Sequence, residues 1–235
     1  MRIPAPLATF SKVRRRNPVP SRPASWFYFA MEEPLAEVNS RERLTKLLDE
    51  LGEHPERLAE ITEQITTIFR EERTVMVLDM SGFTRMTQEG NLISYLLMIN
   101  QMKRLALPCV EAAGGVLIKA EHDNLTCLFD DVETALTASS EITARLQSAN
   151  VVLPKERELY VSIGIGHGEI LNVENADVYG DQVNLASKLG EDIAEKGDVL
   201  LTAPAQEQVK DAGLDLHKES ISISGIRFDY YRVDG

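Results

Sequence analysis

Val116–Lys119 and Leu125–Phe129 are two short apolar runs separated by only five residues. So tight a connection joins antiparallel neighbours, because a parallel return needs a crossover of a dozen residues or more. Around this pair, the chain from Thr74 onward alternates strand and helix patterns. Val75–Leu78 reads as a short apolar strand. Asn91–Ala113 reads as a long amphipathic helix carrying Leu92, Leu96, Ile99, Met102, Ala106 and Val110, bent at Pro108 and stopped by Gly114-Gly115. Asp130 with Glu133 is expected to cap the next helix, which runs to about Asn150. Tyr160–Ile165, Val199–Leu201 and Ile226–Val233 read as strands, and Gln182–Glu195 as a helix. The pattern predicts an α+β sandwich with helices on one face of a largely antiparallel sheet. No internal repeat is visible.

The segment before this pattern has a different character. Residues 1–34 carry six prolines and a basic cluster, which predicts a disordered tail. The Arg-rich, acid-free composition of residues 1–30 also suits an organelle transit sequence, or an upstream extension with initiation at Met31. Ala24–Met31 is too short and aromatic for a secretory core. Residues 35–72 form a helical segment in this reading. Asn39 with Glu42 fits a capping box, and Leu44, Leu47, Leu51, Leu58, Ile61, Ile65 and Ile68 follow a 3–4 spacing. Gly52 and Pro55 interrupt it, so two helices or a kink are expected. The segment serves either as a dimerising, signal-carrying helix or as a helix packed on its own domain. Residues 73–235 are the third region.

Charge narrows the partners. The net charge is −12, yet residues 1–30 hold six Lys/Arg and no acid; the other 205 residues carry 19 basic and 37 acidic side chains, a balance of −18. A body so acidic is a poor nucleic-acid binder, since phosphate affinity needs clustered cations. A nucleotide would need metal ions to mediate the contact. No apolar run approaches the length of a membrane span. Cys109 and Cys127 form no metal-spaced pair, and two buried thiols in a reducing cytoplasm is the expected state.

Three clusters carry candidate chemistry. In Val77-Leu78-Asp79-Met80-Ser81-Gly82-Phe83-Thr84 an apolar strand ends in a carboxylate and a small-residue turn opens a helix. The carboxylate suits a hard cation, and free N–H groups of Ser81, Gly82 and Phe83 suit a phosphate. Lys119-Ala120-Glu121-His122-Asp123 puts a cation and an acid around the hairpin. In Asp177-Val178-Tyr179-Gly180-Asp181-Gln182-Val183-Asn184-Leu185-Ala186-Ser187-Lys188, Asn184 and Lys188 share a helix face. Each alone also reads as ordinary structure: a capping Asp, a solvated hairpin tip and a capped surface helix.

Together, with Ile163-Gly164-Ile165-Gly166-His167-Gly168 between them, these motifs stand in the order found in class III adenylate and guanylate cyclases. The chain resembles that family from about Arg73 to Asp234. The resemblance implies the family's ferredoxin-like sandwich and a homodimer with active sites shared between subunits. It implies that Asp79 and Asp123, with the Met80 carbonyl, hold two divalent cations, Mg2+ or Mn2+, on a nucleoside triphosphate. Ser81, Gly82, Phe83 and Thr84 lie at the phosphates. Lys119 and Asp177 match the base-reading pair, Asn184 the residue that orients the ribose, and Lys188 stands where the family has a transition-state Arg. The chemistry of that base pair favours ATP. Lys donates to adenine N1 and Asp accepts from the N6 amine, whereas guanine presents the opposite pattern. Cytosine imitates adenine's edge, so CTP is excluded less well.

Three positions depart from the family pattern. His122 replaces a Gly before the second metal Asp, Lys188 replaces Arg, and Ser224-Gly225 stands where a Lys-Gly reaches the phosphates. The expected activity is a cytoplasmic adenylate cyclase, a phosphorus–oxygen lyase. The alternatives are a catalytically silent nucleotide- or partner-binding module, and a cyclase for another base such as cytosine.

Overall fold

In the computed structural model of the chain, residues 38–81, 92–223 and 225–234 are described. The tail reading for residues 1–34 therefore lies outside the described residues. So do the readings for Gly82, Phe83, Thr84 and Ser224.

Ser40, not Asn39, caps the first helix: its backbone is extended and its hydroxyl accepts from the Arg43 N–H at 3.1 Å. Asn39 is turned away, its amide donating to the Asn172 carbonyl and its side-chain oxygen accepting from the Glu174 N–H. α1 (Arg41–Glu53) ends before Pro55, a 3-10 turn spans Pro55–Arg57, and α2 (Leu58–Phe69) follows. The break expected at Gly52 and Pro55 thus yields two helices. Leu47, Ile61 and Phe69 are fully buried and pack with Val173, so both helices lie against the main sheet.

β1 (Arg70–Met80) starts directly after α2, and the boundary drawn at residues 72–73 falls inside it. α3 (Leu92–Ala112) leads to β2 (Val116–Glu121) and β3 (Asn124–Phe129). α4 (Val132–Asn150) precedes β4 (Val161–Val173) and β5 (Asp177–Tyr179). α5 (Asp181–Ser187) continues as a π-helical turn over Lys188–Ile193; β6 (Val199–Thr202), α6 (Ala203–Gln208), β7 (Leu216–Ile223) and β8 (Ile226–Val233) complete the fold. The cap of α4 is Asp131, whose carboxylate accepts from the Thr134 N–H at 2.8 Å. Asp130, expected in that role, pairs with Arg73 instead.

Among the described residues the strand order is β2-β3-β1-β4-β6-β8-β7, with β5 pairing β4. Every pair is antiparallel except β4–β6. Alternation along β1 separates two cores. Met76, Leu78 and Met80 face α3, α4 and α6. Val75 and Val77 face the other way, with Ile118, Leu128, Ile170, Val178 and Ala186. Helices therefore cover both faces, and the expectation of one covered face is corrected by α5. Glycines permit that second layer. A Cβ on Gly164 would stand 2.1 Å from the Ala186 carbonyl oxygen, and one on Gly190 2.7 Å from the Val77 oxygen. Cys109 and Cys127 are both buried and unpaired.

Candidate active site

Asp79 is the penultimate residue of β1, on the same face as Val75 and Val77. It pairs with Asn124 of β3 and Ser162 of β4. Asp123 follows in the two-residue turn closed by the Glu121–Asn124 pair. His122 has φ +50°, a conformation in which glycine is the usual first central residue. The turn therefore holds an L-residue in the left-handed region, at a strain of about 1 kcal/mol. Burial, and after it the charges of Asp123, Glu191 and Asp192, push the Asp79 carboxyl up to about 7. Burial and the Asp123 carboxylate, to which the Tyr95 hydroxyl is hydrogen-bonded, raise the tyrosine's pKa.

This donor set fits a divalent cation of the hard kind. Asp79 and Asp123 offer only oxygen, and their mutual repulsion is what a cation relieves. Among the described residues no cluster of three or more His, Cys, Asp or Glu is placed to hold a metal. Two carboxylates suit an ion that keeps waters and takes its remaining ligands from substrate phosphates, as Mg2+ does. Met80 lies in the ladder opposite Val161 with its side chain in the core. The Ser81 N–H is not free for a phosphate: it donates to the Tyr160 carbonyl at 2.9 Å, and the hydroxyl donates to Ser162.

The second cluster is assembled differently. The β2–β3 register slips between Leu117 and Lys119, so Lys119 stands opposite Thr126, which also faces Val77. That bulge re-aims Lys119 from the α3–α4 face to the opposite one. There its ammonium meets Asp177 Oδ1 at 2.5 Å. Asp177, the first residue of β5, is only 7% exposed. Its Oδ1 also accepts from the Val178 N–H at 3.0 Å; its Oδ2 accepts from the Tyr179 hydroxyl at 2.7 Å and the Arg41 guanidinium at 3.1 Å. Burial would raise this carboxyl, but the hydrogen bonds from Lys119, Tyr179 and Arg41 outweigh it and hold the pKa at about 2. The same contact with Asp177 raises the pKa of Lys119.

Asn184 is exposed on α5, and the Lys188 N–H donates to its carbonyl, so the two share a helix face as expected. Beyond Lys188 the helix widens to the π form, with the Ala194 N–H reaching back to the Leu189 carbonyl. The Lys188 ammonium is engaged with Asp192 at 2.5 Å. Sequence reasoning passed over Arg41, Tyr95, Tyr179, Glu191 and Asp192. Asp192 had a signal, since it stands at i,i+4 from Lys188; Arg41 had none, being 136 residues from its partner.

The family model for the adenylate and guanylate cyclase catalytic domain matches residues 67–231, and the chain belongs to that family. Among its relatives, a putative adenylate cyclase 3 of Rhizobium meliloti is 25% identical over 143 residues, 61% of this chain and 24% of that protein. An adenylate cyclase of Streptomyces coelicolor is 30% identical over 133 residues, 56% of this chain and 33% of that protein. The chain thus aligns with about a quarter to a third of those relatives. A solved adenylate/guanylate cyclase/hydrolase from Silicibacter pomeroyi superposes with a TM-score of 0.62 at 25% identity, covering 70% of this chain and 96% of that one. No helix among the described residues is long and apolar enough to cross a membrane.

Proposed function

We propose that the chain is an adenylate cyclase, forming 3′,5′-cyclic AMP and pyrophosphate from ATP at sites shared between two copies. The observation that carries this reading is the Lys119–Asp177 pair, a part-exposed donor held beside a buried acceptor. Lys119 donates to adenine N1 and Asp177 accepts from the N6 amine; guanine would oppose donor to donor and acceptor to acceptor. Asp79 and Asp123 hold two divalent cations, Mg2+ or Mn2+, which supply charge neutralisation on the triphosphate and lower the pKa of the ribose 3′-hydroxyl. Asn184 orients the ribose for in-line attack of the 3′-oxygen on the α-phosphorus. Lys188 offsets the charge that develops there. To reach substrate it leaves Asp192, an exposed i,i+4 contact worth about 0.3–0.5 kcal/mol. Gly82, Phe83 and Thr84 stand at the phosphates in this reading, with Ser81 contributing position and not its N–H.

Sharing between copies has its own support. The charges that perturb Asp79 come from Asp123, Glu191 and Asp192, while those on Asp177 come from Lys119, Tyr179 and Arg41. Along β4, Asp79 pairs with Ser162 near one end and Asp177 with Val173 at the other. Two such half-sites in one chain become two whole sites in a head-to-tail pair.

The test is to supply ATP, CTP and GTP separately, with Mg2+ and then Mn2+, and to look for the cyclic product. Cyclic AMP from ATP, with little from GTP, supports the reading. Product from CTP alone would assign the pair to cytosine, whose N3 and N4 present the same edge. No product from any triphosphate would leave a nucleotide-binding module.

A further inference from the structure

We infer that Arg41, on the helix preceding the family-matched region, is a positioning residue for base recognition. The inference rests on Lys119 and Asp177 being the base-reading pair. An ionised carboxylate has about four acceptor sites, and Asp177 fills them with four donors. Val178 N–H and Lys119 take Oδ1; Tyr179 and Arg41 take Oδ2. An incoming N6 amine needs one site vacated. Lys119 vacates it by turning to the ring nitrogen, which frees Oδ1 beside the base. Tyr179 and Arg41 then keep Oδ2 in place, so the carboxylate meets the amine with its plane already set.

Arg41 is the member that does not come from β5 or its neighbours. It is the first residue of α1, outside the matched span of 67–231. Its position is fixed twice more. Its backbone N–H donates to the Glu174 carboxylate at 3.0 Å, and the adjoining Asn39 brackets the same turn through the Asn172 carbonyl and the Glu174 N–H. That turn holds Glu174 and Asn175 at positive φ and is braced by Asn172 to Asn175 hydrogen bonds. The start of α1 is therefore tied to the hairpin that carries Asp177 by side chain and backbone together. A shift of α1 along the sheet would carry Arg41 off Oδ2 and free the carboxylate to rotate.

The experiment uses the full chain, the unreactive analogue α,β-methylene-ATP for binding, and ATP and GTP for turnover. Arg41→Ala is expected to weaken analogue binding about 5- to 10-fold, the loss of one charge-assisted contact. It should raise KM for ATP equally, leave kcat within about twofold and narrow the preference for ATP over GTP. Arg41→Lys should recover part of the binding, since it keeps the charge and loses the fork. More than half of the Arg41 side chain is exposed, so neither change empties the core. Unchanged analogue affinity in Arg41→Ala overturns the inference while leaving the cyclase reading intact. Tighter binding also overturns it, because Arg41 would then compete with the base. A parent chain that binds the analogue without forming cyclic product defeats the cyclase reading alone, and Arg41 is judged on affinity. A parent chain that binds no analogue defeats both.

Discussion

Two aspartates of the same sheet live in opposite electrostatic worlds. Asp177 is surrounded by donors and its carboxyl is held at about 2, in spite of burial. Asp79 sits near three other acids and is pushed up to about 7 by burial and their charge. The first cluster is complete within one folded chain: Lys119, Tyr179, Arg41 and a backbone N–H already satisfy it. The second is held against its own repulsion by the rigid β1–β3–β4 ladder, which leaves Asp79 no cationic partner of its own among the causes of its shift. Under the proposed function the contrast has a reason: a site that reads a neutral base can be satisfied before the base arrives, while a site that gathers cations stays strained until they bind, and such perturbed groups cluster where chemistry is done.

Breaking the strained cluster should have the largest effect. Asp79→Asn or Asp123→Asn is expected to lower turnover by about three orders of magnitude or more. At the same time it should raise the melting temperature of the metal-free chain by a few degrees, since each kcal/mol relieved is worth roughly 2–4 °C at this size. A variant that loses activity and melts earlier would mean that the acids hold the fold together and are not strained.

Lys188 sharpens the comparison next, because it stands beside the acids of the strained cluster through Asp192. Lys188→Ala should lower kcat by about 10- to 100-fold with KM nearly unchanged, the mark of a contact made in the transition state. Lys188→Arg should keep activity. A parental kcat in Lys188→Ala would reduce the residue to an exposed partner of Asp192.

The satisfied cluster makes a prediction about pH. The folded pKa of Asp177 lies below the ordinary carboxylate value, so its contribution to stability is present above about pH 4 and lost as pH falls toward 2. Thermal melts of the parent chain and of Asp177→Asn should differ clearly at pH 6 and converge near pH 2. A gap that stays constant across that range would show that the carboxylate's charge is not what stabilises it.

The smallest effect concerns His122. Its positive φ strains an L-residue, and His122→Gly should raise the melting temperature by about 1–3 °C through relief of roughly 1 kcal/mol, offset in part by glycine's unfolded-state entropy. A fall in melting temperature would show that the imidazole supports the turn.

Much of the fold was legible because the relevant signals are local. The β2–β3 hairpin, the α3 and α4 helices and the break between α1 and α2 follow from apolar spacing, Gly and Pro. What escaped depends on contacts distant in sequence. The charged residues Arg70–Glu72 fall at the end of the helical segment expected from the sequence, yet they open β1 because β4 extends far enough to pair with them. β7 was missed although Ile221 and Ile223 alternate with polar neighbours. β5 and α6 have only three and six residues, too few for a periodic pattern. At the site, the residue identities were readable but their alliances were not. The bulge that turns Lys119 toward Asp177 shows only in the register. The use of the Ser81 N–H depends on Tyr160, and the hold of Arg41 on Asp177 joins residues 136 apart.

The central claim is that each chain carries two half-sites, one for metal and one for base, completed by a second copy. Mixing Asp79→Ala chains with Lys119→Ala chains tests it most directly. Each variant alone should be nearly inactive. After subunit exchange, half the pairs are mixed and each mixed pair has one intact site of two, so activity should return to about a quarter of the parental value. Activity that stays at the level of the separate variants, with exchange demonstrated by differently tagged chains, would contradict the claim and confine the chemistry to a single chain.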